Sequence, residues 1–328
     1  MDGCINLLKP AGMTSHDAVA AFRRILRMKK IGHTGTLDPM ACGVMCICAG
    51  KATRAAEYLE SDKKTYRCEM RLGITSDTGD IWGNVSPGDA DRAAAVTVPE
   101  VLAALESLKG PQLQYPPMYS AVKVNGRKLY EYARKGETAE VKPRQVVIHD
   151  IRPVRVLEEP AAVVFDVDCS KGTYIRTICT ELGEKLGCGA AMSFLLRTSS
   201  GRFDIRDAVT FEEILAAVEL AEGRPAQEIL ETRIDAPLTA DLSRFILPVD
   251  RMLGDFGAIR LNAGGARRYV NGNELRLDAV RITEENTLAE NARFADRFRV
   301  YGPEAEFLGT AHVNREKNLV TADKVFYR

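Results

Sequence analysis

A carboxylate on a short, stiff loop is a reactive group in waiting, and the stretch from Ile31 to Gly50, IGHTGTLDPMACGVMCICAG, is suited to hold one. Asp38 precedes Pro39, whose ring drives the residue before it into extended backbone. Gly32, Gly35 and Gly43 permit bends that other residues resist. The run Val44-Met45-Cys46-Ile47-Cys48 is short and apolar, as a buried strand requires. Asp38 would then stand on a glycine-hinged loop against the rigid edge of a core strand, a placement that pre-positions a side chain for chemistry. The same Asp-Pro pair would serve equally well as an ordinary turn.

Other residues could complete a site. Lys63-Lys64-Thr65-Tyr66 opens a strand, KTYRCEMRLG, with Tyr66, Cys68 and Met70 on one face and Thr65, Arg67 and Glu69 on the other. Arg176 follows Lys171-Gly172-Thr173-Tyr174-Ile175 at the entrance to a helix, TICTELGEKLG. Burial alone raises the pKa of an aspartate, so a buried carboxylate needs a partner to stay ionised. A permanently charged guanidinium that grips a carboxylate at two points is the suitable type.

These segments together resemble the TruB family of tRNA pseudouridine synthases. GHTGTLDPMACGVM is similar to the family's catalytic-loop motif, which implies that Asp38 is the nucleophile and that His33 helps hold an everted nucleotide. KPAGMTSH is similar to the first family motif, where Lys9 and Pro10 shape the floor of the site. The K-x-Y arrangement of Lys64 and Tyr66 matches the second. The resemblance implies that Tyr66 stacks on the target base and could take the proton from C5, with Lys64 beside the substrate. It also implies that Arg176 pairs with the catalytic carboxylate, that Tyr174 lines the pocket, and that Leu195, in AAMSFLLRTSSGRF, forms an apolar wall under the base. Residues 110 to 137, rich in prolines, aromatics and cations, resemble the family's RNA-binding thumb, and Tyr115, Tyr119, Lys123, Arg127 and Lys128 are its candidate contacts.

The implied reaction converts uridine 55 of the tRNA T-loop to pseudouridine. It breaks the bond from C1′ to N1, turns the uracil and joins C1′ to C5. Positive charge develops at C1′, so one ionised carboxylate beside the sugar is required. The base must be turned out of its loop to be reached. No redox or hydrolytic step is involved, so neither a cofactor nor a metal is expected. Three rival readings remain: a nucleoside or glycoside hydrolase, for which no motif supplies a second carboxylate, a non-catalytic RNA-binding or tRNA-folding module, and a guide-dependent synthase.

The elements that must position these residues follow from pattern. Ile5 to Leu8 reads as a strand, and Thr14 or Ser15 caps a helix through about Arg27 with apolar spacing at Val19, Phe22, Ile25 and Leu26. Lys51 to Leu59 and Pro99 to Leu108 read as helices, Arg144 to Val156 and Ala161 to Cys169 as strands, and Ala190 to Phe203 as two short strands around a turn. Residues 75 to 85 read as a surface loop. The expected fold is α+β: a pseudouridine-synthase-like catalytic domain over residues 1–245, built on a long mixed sheet flanked by helices, with the thumb at about 110–145. Residues 246–328 are expected to form a small PUA-like β-barrel.

With 328 residues, 45% hydrophobic and 27% charged, the chain has the composition of a soluble globular protein. No run approaches the ~20 apolar residues needed to span a bilayer, and the start lacks a secretory pattern, so a cytoplasmic monomer away from membranes is expected. The eight cysteines lack zinc-type C-x-x-C spacing and read as free thiols. Net charge is zero, against the basic balance usual for RNA binders. Local clusters at Arg23–Lys30, Lys63–Arg67 and Lys123–Lys135 can still meet phosphates.

Overall fold

The computed structural model describes residues 2–60, 63–157, 161–234, 236–288 and 293–326. Nine strands form one sheet: β1 (Gly3–Lys9), β2 (Ile31–Thr34), β3 (Cys42–Ala49), β4 (Lys63–Leu72), β5 (Gly110–Gln114), β6 (Arg144–Leu157), β7 (Ala162–Ser170), β8 (Ala190–Ser200) and β9 (Phe203–Asp204). Their order is β1-β3-β8-β4-β7-β6-β5, with β9 attached to β8 and β2 to β3. The sheet is mixed: β3 and β8 run parallel, and the other pairs are antiparallel. The expected α+β architecture on a long mixed sheet is therefore present.

Amphipathic helices cover this sheet. The helix Ser15–Ile25 starts at Thr14, whose hydroxyl accepts from the Asp17 N–H while the Asp17 carboxylate accepts from the Thr14 N–H. That reciprocal cap satisfies two donors that a helix start leaves open. Ala18, Val19, Phe22 and Ile25 fall on one stripe and are buried. The helix Ile175–Leu186 buries Ile178, Cys179, Leu182 and Leu186, and ends at Gly187 in the left-handed conformation, φ +74°.

Two segments differ from their sequence patterns, and a third, residues 190–204, keeps the expected two strands around a turn with the first much longer than expected. Ala190–Ser200 is a single eleven-residue strand followed, after a turn, by the two-residue β9. Two register shifts against β4, between Met192 and Phe194 and between Arg197 and Ser199, bend the strand without ending it. Residues 51–59 begin as a 3-10 turn, Gly50–Ala55, and only Ala56–Leu59 is α-helical. Residues 75–85 are tied into a hairpin whose arms, Ile74–Ser76 and Val85–Pro87, pair with each other, and Asp80 at its turn is buried.

A second, six-stranded sheet is made of β10 (Gly257–Arg260), β11 (Leu275–Arg276), β12 (Arg281–Glu284), β13 (Arg297–Tyr301), β14 (Phe307–Asn314) and β15 (Leu319–Val325), in the order β11-β15-β14-β13-β10-β12. It is curled into a half-barrel around Ile259, Leu261, Tyr269, Phe298, Val300 and Leu308. Before it, Leu247 exchanges backbone hydrogen bonds with Cys4 of β1 (2.9 and 2.7 Å). Val249, Leu253 and Phe256 pack on Val44, Cys46 and Cys48 of β3. The two sheets thus share an apolar layer, reinforced where Tyr58 meets Phe256 and Phe294 edge-on, with centroids 5.3 and 5.0 Å apart. All eight cysteines are unbridged. The thiols of Cys4, Cys46 and Cys48 converge within this apolar layer.

Candidate active site

The loop that carries Asp38 leaves the sheet at a fork. β3 has two edges, and β1 pairs with residues 43–49 along one. The other edge is divided: β8 pairs with Cys42 and Gly43, and β2 pairs with residues 46–49. The chain between β2 and β3, residues 35–41, emerges where these two partners part. Gly43 is essential to the junction, because its φ is +115° and a Cβ there would lie 2.2 Å from the Arg197 carbonyl oxygen.

Three buried side chains strap this loop down. Arg197 of β8 is fully buried. Its Nε donates to the Val44 carbonyl in the fork (2.7 Å), and its terminal nitrogens donate to the carbonyls of Gly35 (2.9 Å) and Thr36 (3.4 Å). Ser15, at the helix start, accepts from the Leu37 N–H and donates to the Leu37 carbonyl, both at 2.9 Å. Lys9, also fully buried, donates to the carbonyls of Met13 (2.7 Å), Pro10 (2.9 Å) and Pro39 (3.5 Å). Burial lowers the Lys9 pKa to about 8, since desolvation disfavours its charged form.

The Asp38 carboxylate therefore cannot wander, and it meets Arg176 at 2.9 Å. Arg176 is 4% exposed and Asp38 37% exposed, so the cation is inside and the anion faces the cleft. The Arg176 guanidinium is itself held by the Thr78 and Tyr119 carbonyls, both at 2.9 Å. Asp80 lies on its other side at 3.7 Å and is 1% exposed. One Asp80 oxygen accepts from the Thr78 hydroxyl (2.9 Å) and the Trp82 N–H (3.0 Å). The other has no hydrogen-bond donor, which leaves Arg176 as its electrostatic partner.

A cavity of about 450 Å³ opens on this pair and is lined by Asp38, Lys64, Tyr66, Tyr174, Arg176 and Leu195. Six of the seven side chains expected at the site thus surround one space. The seventh, His33, lines an adjoining cavity of about 710 Å³ that shares Asp38 and Arg176 with the first. Tyr66 and Leu195, 7% and 6% exposed, belong to the apolar lining of the 450 Å³ cavity. Burial pushes the Tyr66 phenol above its usual pKa, while the neighbouring Arg197 pulls it down. Burial also lowers the pKa of Lys64 and of His33, and Arg197 adds to both shifts. Tyr174 is fixed through its backbone: Gln114 accepts from its N–H (2.7 Å) and donates to its carbonyl (3.1 Å).

Of the thumb residues, Lys123 lines the smaller cavity, and Tyr119 and Lys128 line the larger. Tyr115 is exposed, and Arg127 sits 4.1 Å above the Tyr132 ring and pairs with Glu137. Part of the first basic cluster is structural: Arg27 pairs with the buried Glu222.

Asp80, Arg197, Ser15 and Gln114 belong to this machinery, yet sequence reasoning did not single them out. Arg197 had a usable signal, since a lone cation inside the apolar strand pattern FLLRT must be paired or functional. Asp80 had none, because a polar, glycine-rich turn hides one buried carboxylate among exposed ones.

Comparison with known proteins now places the chain. Solved structures share its architecture over 99% of its length and 85% of theirs. They include an H/ACA ribonucleoprotein bound to a substrate RNA containing 2′-deoxyuridine (TM-score 0.69, 22% identity) and a Cbf5-Nop10-Gar1 complex (TM-score 0.68, 24% identity). At such identity the likeness is one of fold. Residues 23–175 match the N-terminal domain of TruB family pseudouridylate synthases, and residues 176–254 match the tRNA pseudouridylate synthase B C-terminal domain. The tRNA pseudouridine synthase B of Alkaliphilus oremlandii is 43% identical over 84% of this chain and 83% of its own, and that of Clostridioides difficile is 38% identical over 99% and 100%. The chain belongs to the TruB family, and its enzyme class is that of an isomerase.

Proposed function

We propose that this chain converts uridine 55 in the T-loop of tRNA to pseudouridine, with Asp38 acting on the sugar of an everted nucleotide. The observation that carries the reading is the Asp38–Arg176 pair at 2.9 Å on the wall of a cavity whose other walls are Tyr66, Tyr174 and Leu195. A carboxylate that faces the cleft and is backed by a buried cation stays ionised, as an electron-deficient C1′ requires. Asp38 either adds to C1′ or takes the 2′ proton, and both routes need the anion.

In this reading Tyr66 and Leu195 hold the uracil between an aromatic face and an apolar wall. Tyr66 is a neutral phenol at neutral pH, which suits stacking. If it takes the C5 proton, Arg197 is the group that eases its ionisation. Lys64 and Tyr174 bind at the pocket edge, and His33 occupies the adjoining cavity on the side from which the loop is opened. The catalytic unit is residues 1–245, with the RNA-facing segment at about 110–145. Residues 246–328 form the PUA-like unit. A tRNA substrate places the enzyme in the cytoplasm, and it acts as a monomer on a bare T-arm.

The test is release of tritium from C5-labelled uridine in a T-arm stem-loop RNA by the purified chain. The proposal expects tritium release matched by pseudouridine and without free uracil. Free uracil would make the chain a hydrolase, and RNA binding without tritium release would make it a non-catalytic module. Activity only on addition of a guide RNA would make it a guided enzyme.

A further inference from the structure

The chain has one tryptophan, Trp82, set in the polar stretch TSDTGDIWGNV, and the structure leaves the residue 65% exposed. A large indole in water forfeits the burial that usually justifies it. The turn beneath is nevertheless firmly built. The Trp82 and Thr78 donors converge on one Asp80 oxygen, as described above, and Asp77 accepts from the Asn84 N–H (2.8 Å). The turn is also tied to β8, through Ile81 N–H to the Met192 carbonyl (2.9 Å) and Met192 N–H to the Gly79 carbonyl (3.0 Å). Asp80 joins it to Arg176 and hence to Asp38. An exposed aromatic on so rigid a mount is presented to a ligand.

Trp82 lines the cavity of about 710 Å³ that adjoins the uridine pocket at Asp38 and Arg176. Tyr130 lines it as well, with Lys128 and Arg134 5.4 and 5.3 Å from its ring centroid. The space thus combines aromatic faces with cations, the elements on which an unpaired base stacks beside its backbone, and Thr14, His16, His33 and Ser120 add polar groups around them. Turning a uridine out of a loop strips its neighbours of a stacking partner, and an unstacked base finds a replacement on an aromatic side chain.

We propose that Trp82 is a stacking platform for an unpaired base adjacent to the everted uridine, seating the loop in the second cavity while Asp38 acts in the first. The inference rests on the RNA-modifying reading above. Trp82 takes no part in bond making, so its loss falls on substrate binding.

As the sole tryptophan, Trp82 reports on itself. The chain carrying Asp38→Asn, expected to hold substrate without turnover, is titrated with a T-arm stem-loop RNA while tryptophan emission is followed. Filter binding measures occupancy in parallel. The expected result is emission quenched with the same midpoint as binding. In the otherwise unaltered enzyme, Trp82→Ala is expected to raise KM about tenfold, the lower part of the stacking range. It should leave kcat within about twofold, while Trp82→Phe keeps most of the affinity. Emission unmoved at full RNA occupancy overturns the proposal, as does a Trp82→Ala KM within twofold of the parent. The emission titration uses the native side chain, so it does not depend on a variant folding. Failure of the underlying reading shows separately, as absence of pseudouridine from the unaltered enzyme.

Discussion

Charge at this site is set by which ions are inside and which face the cleft. Arg197 and Lys9 are buried and satisfied by backbone carbonyls, whereas buried Arg176 is held by two carbonyls and by the carboxylates of Asp38 and Asp80. Carbonyls solvate Arg197 and Lys9 without cancelling their charge, so a positive field remains around the Asp38–Arg176–Asp80 group. Lys9 gives this a pH signature. Its pKa falls from the ordinary 10.5 to about 8 because it is buried. Between those values the unfolded chain binds more protons than the folded one, so this residue makes folding more favourable as pH rises through the window. The stability gap between the native protein and Lys9→Met should therefore change between pH 8 and 10.5 in favour of the native protein, and stay constant below about pH 7. Denaturant titrations across pH measure it, and a gap independent of pH would show that Lys9 titrates normally.

At the scale of elements, the fork in the β3 edge decides where the Asp38 loop can be. Gly43 lets β3 pass against Arg197, and a methyl group there has only backbone to displace. Gly43→Ala is expected to cost about 3 kcal/mol of stability, from a strained backbone and an unyielding contact, read as a shift in the urea midpoint. A cost near zero would mean that the β3–β8 junction is soft. The strands, the capped first helix and the Asp38 loop were legible in the sequence because they rest on local signals: alternation, a Thr-x-x-Asp cap, and glycines beside an Asp-Pro. The fork was not, because parallel pairing of Cys42 with Leu196 joins residues far apart in the chain. The two strands around a turn expected over Ala190–Phe203 are present, but the first is long rather than short, because pairing with β4 and β9 carries it through Ser199 and Ser200 to the turn at residues 201–202.

Taken whole, the molecule is neutral but its cleft is not. Lys64, Lys123, Lys128 and Arg134 line the two cavities, whereas much of the acidic surface is consumed in pairs elsewhere, such as Asp166 with Arg67 and Asp255 with Arg202. Binding of a T-arm hairpin should therefore remain salt-dependent. Roughly four phosphate contacts imply that the logarithm of Kd rises with the logarithm of salt concentration with a slope of about 3. A flat dependence would show that these cations do not meet phosphate. Net charge misled at this scale, since a sum over 45 cations and 45 anions says nothing of where they are. The motif residues fall around two adjoining cavities, a juxtaposition that a family resemblance could suggest because it joins distant segments that periodicity cannot. The half-barrel was legible only as short strands and glycine turns, and its shared layer with β3, built on Phe256, Phe294 and Tyr58, left no periodic trace.

The central claim is that an ionised Asp38, backed by Arg176, acts on the sugar of an everted uridine. Single-turnover pseudouridine formation in a T-arm hairpin, compared among the native enzyme, Asp38→Asn and Arg176→Lys, tests it most directly. The account predicts hairpin binding with no detectable product for Asp38→Asn. For Arg176→Lys it predicts a rate lowered about tenfold to a hundredfold, the worth of a charge-assisted hydrogen bond. Product formed by Asp38→Asn at the native rate would contradict it outright.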